Sequence, residues 1–340
     1  MGEGQTEARA QDTTDSEVCA PGTSVADVLR LLSAGASGAI VMALGGGPLR
    51  TKNLTQVVRG YTPRTIYRYA GKLAELDVVE RHEEPGVPSK VVHKLSHPCG
   101  SDLYELLSGF ADASMSRLPN GEIDAHAWGS MGLLADLWES GMIEELSCDP
   151  RSPTELARGP HGWSFHQVNR RANLFRIGGL VSVAPGVGRR TLYTLTGKAR
   201  RSMALLAGIG RWRHRHVVPE DEEGLTAAEV ATILRTALPL VRLPSHAGKC
   251  IRLQVVGRDD RPGAEGELVW VQVEADGRVH SCATPTASVD GWGRARVPGW
   301  IAAVLDRRAD GVHPGGDEPL VEACLAHLHH ALWSADAARG

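Results

Sequence analysis

Two stretches of this 340-residue chain spell out the same pattern about one hundred residues apart. Self-similarity at a fixed offset is the signature of a structural unit used more than once. The first stretch begins at Thr62 and reads TPRTIYRYAGKLAELDVVERHEEPGVPSKVVHKLSHPCGSDLYELL. The second begins at Ser164 and reads SFHQVNRRANLFRIGGLVSVAPGVGRRTLYTLTGKARRSMALL. Thr62, Ile66, Arg68, Ala70, Leu73 and Val79 align with Ser164, Val168, Arg170, Ala172, Phe175 and Val181 at an offset of 102. Past a turn two residues shorter in the second copy, Leu95, Ser96, Leu103 and Leu106 align with Leu195, Thr196, Met203 and Leu206 at an offset of 100. Length variation confined to a turn is what a shared fold tolerates.

Each copy follows one local grammar. Thr62 is placed to cap a helix with Pro63 at its first position. Ile66, Ala70, Leu73 and Leu76 then make a single apolar stripe at helical spacing. In the second copy Ser164 caps, and Phe165, Val168, Ala172 and Phe175 are expected on the buried face. Two short strands should follow in each (Val78–Glu83 and Lys90–Leu95; Leu180–Ala184 and Arg190–Leu195), around the turns EPGVPS and PGVGR. A further helix opens at Ser96 or Thr196. Upstream, apolar helical stretches at 24–45 and 127–147 lead to the short helices NLTQVVRG and SPTELARG. The order helix, helix, helix, strand, strand, helix is that of the winged helix-turn-helix. The expected fold is mainly α with small β wings: tandem winged helix-turn-helix domains followed by a small α+β C-terminal domain. The expected boundaries are a disordered tail over 1–22, winged units over 23–118 and 119–216, and an α+β domain over 217–340.

The first unit, GAIVMALGGGPLRTKNLTQVVRGYTPRTIYRYAGKLAELDVVERHEEPGVPSKVVHKLS, resembles the HxlR pattern of the HxlR/MarR/PadR group of bacterial winged-helix regulators. The second is similar more loosely, through SPTELARG and VNRRANLFRIGGLVSVAPGVGRRTLYTLTGKAR. The resemblance spans roughly residues 24–210. It implies a cytoplasmic, usually dimeric, sequence-specific DNA-binding repressor or activator. This chain departs from the pattern in three ways. Its early cysteine, Cys19, falls in the expected tail, so redox sensing is not implied. Asp77 stands where glycine is common. Most such regulators carry one winged unit, not two.

Charge points the same way without the family. Residues 150–216 hold thirteen Lys/Arg against the single acid Glu155, or +12, in a chain whose total is −3. The segment 101–149 carries one Arg against ten acids, −9, and 217–340 carries twelve bases against eighteen acids, −6. A concentrated positive block is what polyanion binding requires, because each neutralised phosphate releases counterions. A recognition helix in the major groove reads guanine with Arg and adenine with Asn or Gln. On the second helix His166, Gln167, Asn169, Arg170, Arg171 and Asn173 are the candidate DNA contacts. Arg64, Thr65, Tyr67, Arg68 and Lys72 are their counterparts on the first. Lys90, Arg189 and Arg190 are placed to reach the adjacent groove from the wings, and Lys198, Arg200 and Arg201 to hold phosphate. The run RWRHRH at 211–216 reads as a solvated helix end or a phosphate-contacting linker.

Beyond Glu220-Asp221-Glu222-Glu223, alternating strands at 249–257 and 267–283 and helices at 297–308 and 318–333 make up the C-terminal domain. Its expected role is to sense a small-molecule effector or to dimerise, with Trp270, Trp292 and Trp300 as the candidate effector-binding residues and Trp333 beside them. His327 and His330 share a helix face, but no further ligands fall beside them, so no metal is assigned. Six cysteines with no CxxC spacing fit reduced thiols. There is no run of eighteen apolar residues, hence no expected membrane span. No phosphate-loop, G-x-G-x-x-G, G-x-S-x-G or HExxH motif occurs, so no catalytic residue and no cofactor is expected. The expected partners are double-stranded DNA, a second copy in a homodimer, and an effector. The competing readings are a winged-helix-containing methyltransferase-like enzyme and a winged-helix scaffold that binds no DNA.

Overall fold

The computed structural model describes residues 24–34, 36–85, 90–113, 125–185, 191–218, 224–258, 266–282, 284, 288–306 and 310–333. The tail expected over 1–22 lies outside them. Helices dominate, with three small sheets among the described residues.

The chain opens with α1 (Val25–Ser33), started by a reciprocal cap. Asp27 N donates to Ser24 Oγ at 3.1 Å and Ser24 N to Asp27 Oδ2 at 2.8 Å, satisfying two otherwise orphaned backbone donors. Then come α2 (Ser37–Gly45), the two-residue β1 (Leu49–Arg50), α3 (Thr51–Val57) and α4 (Pro63–Glu75). Thr62 caps α4, its hydroxyl accepting from Thr65 N at 3.2 Å. Ile66, Ala70 and Leu73 are its buried stripe. The hairpin β2 (Val79–Glu84) and β3 (Lys90–Leu95) follows, with β1 added to β3, and then α5 (Cys99–Ala113).

The next segment repeats this order: α6 (Ala125–Glu139), α7 (Met142–Glu145), α8 (Pro153–Arg158), α9 (Phe165–Ile177), the hairpin β4 (Val181–Pro185) and β5 (Thr191–Leu195), α10 (Gly197–Arg201) and α11 (Met203–His216). The two segments share hydrogen bonds at the offsets read from the sequence. Val78 N donates to Leu73 O at 2.9 Å, as does Leu180 N to Phe175 O at 2.9 Å. Ser96 N donates to Val78 O at 3.1 Å and Thr196 N to Leu180 O at 3.0 Å. The Ser96 hydroxyl donates to Asp77 O, and the Thr196 hydroxyl to Gly179 O at 2.7 Å. Asp77 and Gly179 hold the same left-handed turn, φ 55° and 71°. Even β1 has a remnant in the second segment. The Leu49–His93 pairing recurs as a lone bridge between Arg151 and Tyr193.

One side chain departs from the expected stripe. Phe165 is 56% exposed, because at the first position of α9 it projects past the helix start with no described element beneath it. Val168, Ala172 and Phe175 form the buried face without it.

The remaining chain is α12 (Ala227–Ala237), β6 (Cys250–Val256), β7 (Glu267–Val273), β8 (Val279–Cys282), β9 (Gly291–Arg296), α13 (Val297–Asp306), β10 (His313–Gly316) and α14 (Glu318–Trp333). The sheet order is β10-β9-β6-β7-β8, parallel only between β6 and β9. Ile251, Leu253, Val255, Val269, Val271 and Val273 point to the side covered by α12, α13 and α14. The opposite face carries Arg252, Gln254, Trp270 and Trp292.

Buried residues of all three segments form one continuous hydrophobic cluster. Among the described residues no single helix is long and apolar enough to cross a membrane.

Candidate nucleic-acid interface

The helices α4 and α9 occupy equivalent places, each following a short helix and feeding a hairpin. Both begin with a neutral cap and have no acid in the first turn. By contrast α1, α8 and α12 place Asp27, Glu155 and Glu229 there. An uncompensated helix start keeps its partial positive charge available to an anion.

On α9, His166, Gln167, Arg170, Asn173 and Arg176 are exposed. Among the described residues no acid pairs with Arg170 or Arg176. Gln167 serves first as a cap, its carbonyl oxygen accepting from Ser164 N at 2.8 Å. Asn169 is half-buried, within 3.5 Å of the Tyr193 hydroxyl that donates to it. Arg171 is half-buried too. Its guanidinium lies 5.5 Å from the Trp163 ring, and that indole stacks on His161 with centroids 4.8 Å apart. Arg171 therefore braces the turn before α9. Arg176 was not singled out in the sequence, though it lies three residues beyond Asn173 on the same face.

On α4, Arg64, Tyr67 and Arg68 are exposed, while Thr65 and Lys72 are half-buried. Thr65 Oγ1 sits 2.9 Å from Thr62 Oγ1 within the cap. Arg68 and Lys72 flank the Tyr69 ring at 5.1 and 5.6 Å. That aromatic platform holds two cations on the outward side, and sequence reading passed it over.

The first hairpin, β2 and β3, is bound up with its own charges. Its bases pair with its own acids: Arg50 with Glu84 at 3.1 Å, Lys94 with Glu80 at 2.9 Å and Arg81 with Glu83 at 3.3 Å. Lys90 is exposed but lies opposite Glu84 in the ladder. Glu80, Glu83 and Glu84 match Arg81, Lys90 and Lys94 in number, so the hairpin has no net positive charge to draw phosphate. Arg189 and Arg190 lie outside the described residues.

The C-terminal half of the basic block is also turned inward. Lys198 Nζ donates to Ser130 Oγ at 2.8 Å. Arg200 reaches Thr236 O at 2.9 Å and Ser147 O at 3.5 Å, and burial pulls its guanidinium down to about 10. Arg200 is thereby withdrawn from phosphate, while Lys198 stays exposed. The RWRHRH run is a packed junction, not a solvated end. Arg211 grips both Asp306 oxygens at 2.6 and 2.7 Å. The Trp212 indole N–H donates to Cys99 O at 2.9 Å, Arg213 donates to Gly224 O at 2.6 Å, and His216 meets Asp102 at 2.9 Å. Within the block Arg151, Arg211 and Arg215 pair with acids of the flanks, Glu145, Asp306 and Asp102.

The tryptophans do not line one pocket. Trp270 and Trp292 share the open face of the five-stranded sheet, both opposite Arg252. Trp300 is fully buried on the other side, its indole N–H donating to Gln254 O at 3.0 Å. Strand alternation turns Trp270 and Trp292 to one face, whereas Trp300 belongs to α13 on the other. Trp333 lines a different cavity of about 230 Å³ with Asp102, Glu105, Leu106, Trp212 and Leu305.

His327 Nδ1 and His329 Nδ1 lie 2.8 and 3.1 Å from the carbonyls of Ala323 and Val304. Among the described residues no three metal-ligating side chains converge.

No family model matches the chain, and no curated protein matches it. Among solved structures it is similar to diamide-treated YodB from B. subtilis, at 26% identity over 25% of this chain and 86% of that one, TM-score 0.22. It is similar to the reduced form of the transcriptional regulator YodB from B. subtilis, at 23% identity over 28% and 92%, TM-score 0.24. It is similar to a MarR-family transcriptional regulator from Porphyromonas gingivalis, at 16% identity over 30% of this chain and 99% of that one, TM-score 0.26.

Proposed function

We propose that the chain is a sequence-specific DNA-binding transcription regulator. In this reading residues 24–113 and 125–216 act as two winged helix-turn-helix units that lay α4 and α9 in the major groove. The observation that carries the reading is where the chain leaves its guanidinium groups bare. Arg50, Arg81, Arg200, Arg211 and Arg213 are engaged by internal partners. Arg64, Arg68, Arg170 and Arg176 face outward on two equivalent helices, with no acidic partner among the described residues. Arg170 suits guanine and Asn173 suits adenine, and the acid-free helix starts favour phosphate. The contacts expected from Thr65, Asn169 and Arg171 shift to bracing roles, and Arg176 joins the reading face. The C-terminal α+β segment then senses a small molecule or assembles.

The test is fluorescence anisotropy on a pool of random duplexes between about 50 and 200 mM salt. Binding that weakens steeply and linearly on a log–log plot is expected. Absence of binding, or binding indifferent to salt, overturns the proposal.

A further inference from the structure

We infer that this chain reads DNA as a single polypeptide, on a site whose two halves are related by a two-fold axis but differ in sequence. The inference rests on the DNA-binding reading above. Under the repeat's offset α6 is the counterpart of α1, and α10 with α11 is the counterpart of α5. In the structure α1 packs along α6, and α5 along α11. Each helix lies against its own counterpart. Like packed on like is what a two-fold axis produces when two copies of one surface meet. Here both copies belong to one chain.

The contact is built for close approach. A Cβ at Gly208 would sit 2.2 Å from Leu106 Cδ1, and one at Gly38 would sit 2.2 Å from the Trp128 ring. Both glycines admit a side chain from the opposite copy. Arg30 on α1 binds Asp136 at 3.1 Å and also Glu139 on α6. Trp212 on α11 bonds the carbonyl of Cys99, where α5 begins. Leu29, Leu32, Leu107, Leu134, Leu137 and Leu205 are buried in the same cluster. The chain thus supplies internally the partner that the sequence led us to expect from a homodimer.

The paired reading helices are unlike. At the offset of 102, Arg64 faces the task of His166, Tyr67 that of Asn169, Gly71 that of Asn173 and Ala74 that of Arg176. Only Arg68 and Arg170 agree in the exposed reading set. Two half-sites read by these helices share the base that this arginine contacts and differ beside it. Their centres lie about one helical turn, or a multiple of it, apart.

The experiment selects bound duplexes from a random library with the full chain, then measures the mass of the complex on the best duplex. One chain per duplex and a two-block motif without inverted-repeat symmetry are expected. A variant replaces five α4 residues, exposed or half-buried, with their α9 counterparts (Arg64→His, Thr65→Gln, Tyr67→Asn, Gly71→Asn, Ala74→Arg). It should shift selection to an inverted repeat of the α9 half-site. Two chains on a palindrome selected by the unaltered chain overturn the inference and leave DNA binding standing, as does a direct repeat selected by the variant. No enriched sequence at all refutes both.

Discussion

Replacing Arg170 by alanine isolates the proposed reading contact, because no partner among the described residues holds that side chain. It is exposed, and no acid among the described residues pairs with it. Folding stability should therefore move by no more than about 0.5 kcal/mol, the range of surface changes away from special features. Specific DNA binding should weaken by about 1–3 kcal/mol if Arg170 bonds a base edge. At about 1.4 kcal/mol per tenfold, that is roughly one to two powers of ten in Kd. A phosphate contact leaves a different trace, a log–log salt slope smaller by about 0.9 at every sequence. Arg171→Ala is the control one residue away. Its guanidinium lies 5.5 Å from the Trp163 ring, an interaction contributing about 0.5–1 kcal/mol. It should lower the urea midpoint more than Arg170→Ala does, while affecting base discrimination less. Footprinting and anisotropy on a selected duplex, beside urea melts, give both readouts. If Arg170→Ala leaves the footprint, the affinity and the salt slope untouched, α9 is not a reading helix.

Arg200→Met removes the donor from Thr236 O and Ser147 O and should cost about 1–3 kcal/mol for groups left unpaired; an unchanged urea midpoint would contradict the inward role. Asp77→Gly relieves a left-handed residue, φ 55°, whose counterpart is already glycine, and should stabilise by up to about 1 kcal/mol in thermal melts. Burial, and secondarily Arg81, hold the His93 imidazole below its usual range. The folded state thus refuses a proton that the unfolded chain takes up near its ordinary value of about 6.5. Stability should be complete above that pH and decline as pH falls toward the lower folded value. His93→Tyr, matching Tyr193 of the second copy, should flatten the decline in urea midpoints measured from neutral to mildly acidic pH, and an equally steep fall in the variant would assign it to other groups.

The equivalent helices α4 and α9 were legible because their signals are local. Thr62 with Pro63, and Ser164 with Gln167, mark starts, and Ile66, Ala70 and Leu73 mark a face. Phe165 fits the stripe by spacing, yet at the helix end no described element covers it. The basic block misled more. A count of charges cannot show that Lys198 meets Ser130 or that Arg211 meets Asp306, partners 68 and 95 residues away. The strand β1 is too short for any periodicity to show. Trp270 could be placed opposite Trp300 only once α13 was known to cover the other face of the sheet, since strand parity says which residues share a face and not which face is covered.

The pairing of α1 with α6 and of α5 with α11 joins two copies that are written separately in the chain. In a symmetric assembly of identical subunits every change to a reading surface is made twice, and both halves of the target must change together. On the reading proposed above, a single substitution on α9 leaves α4 as it was, so the molecule can drift toward a new target one half at a time.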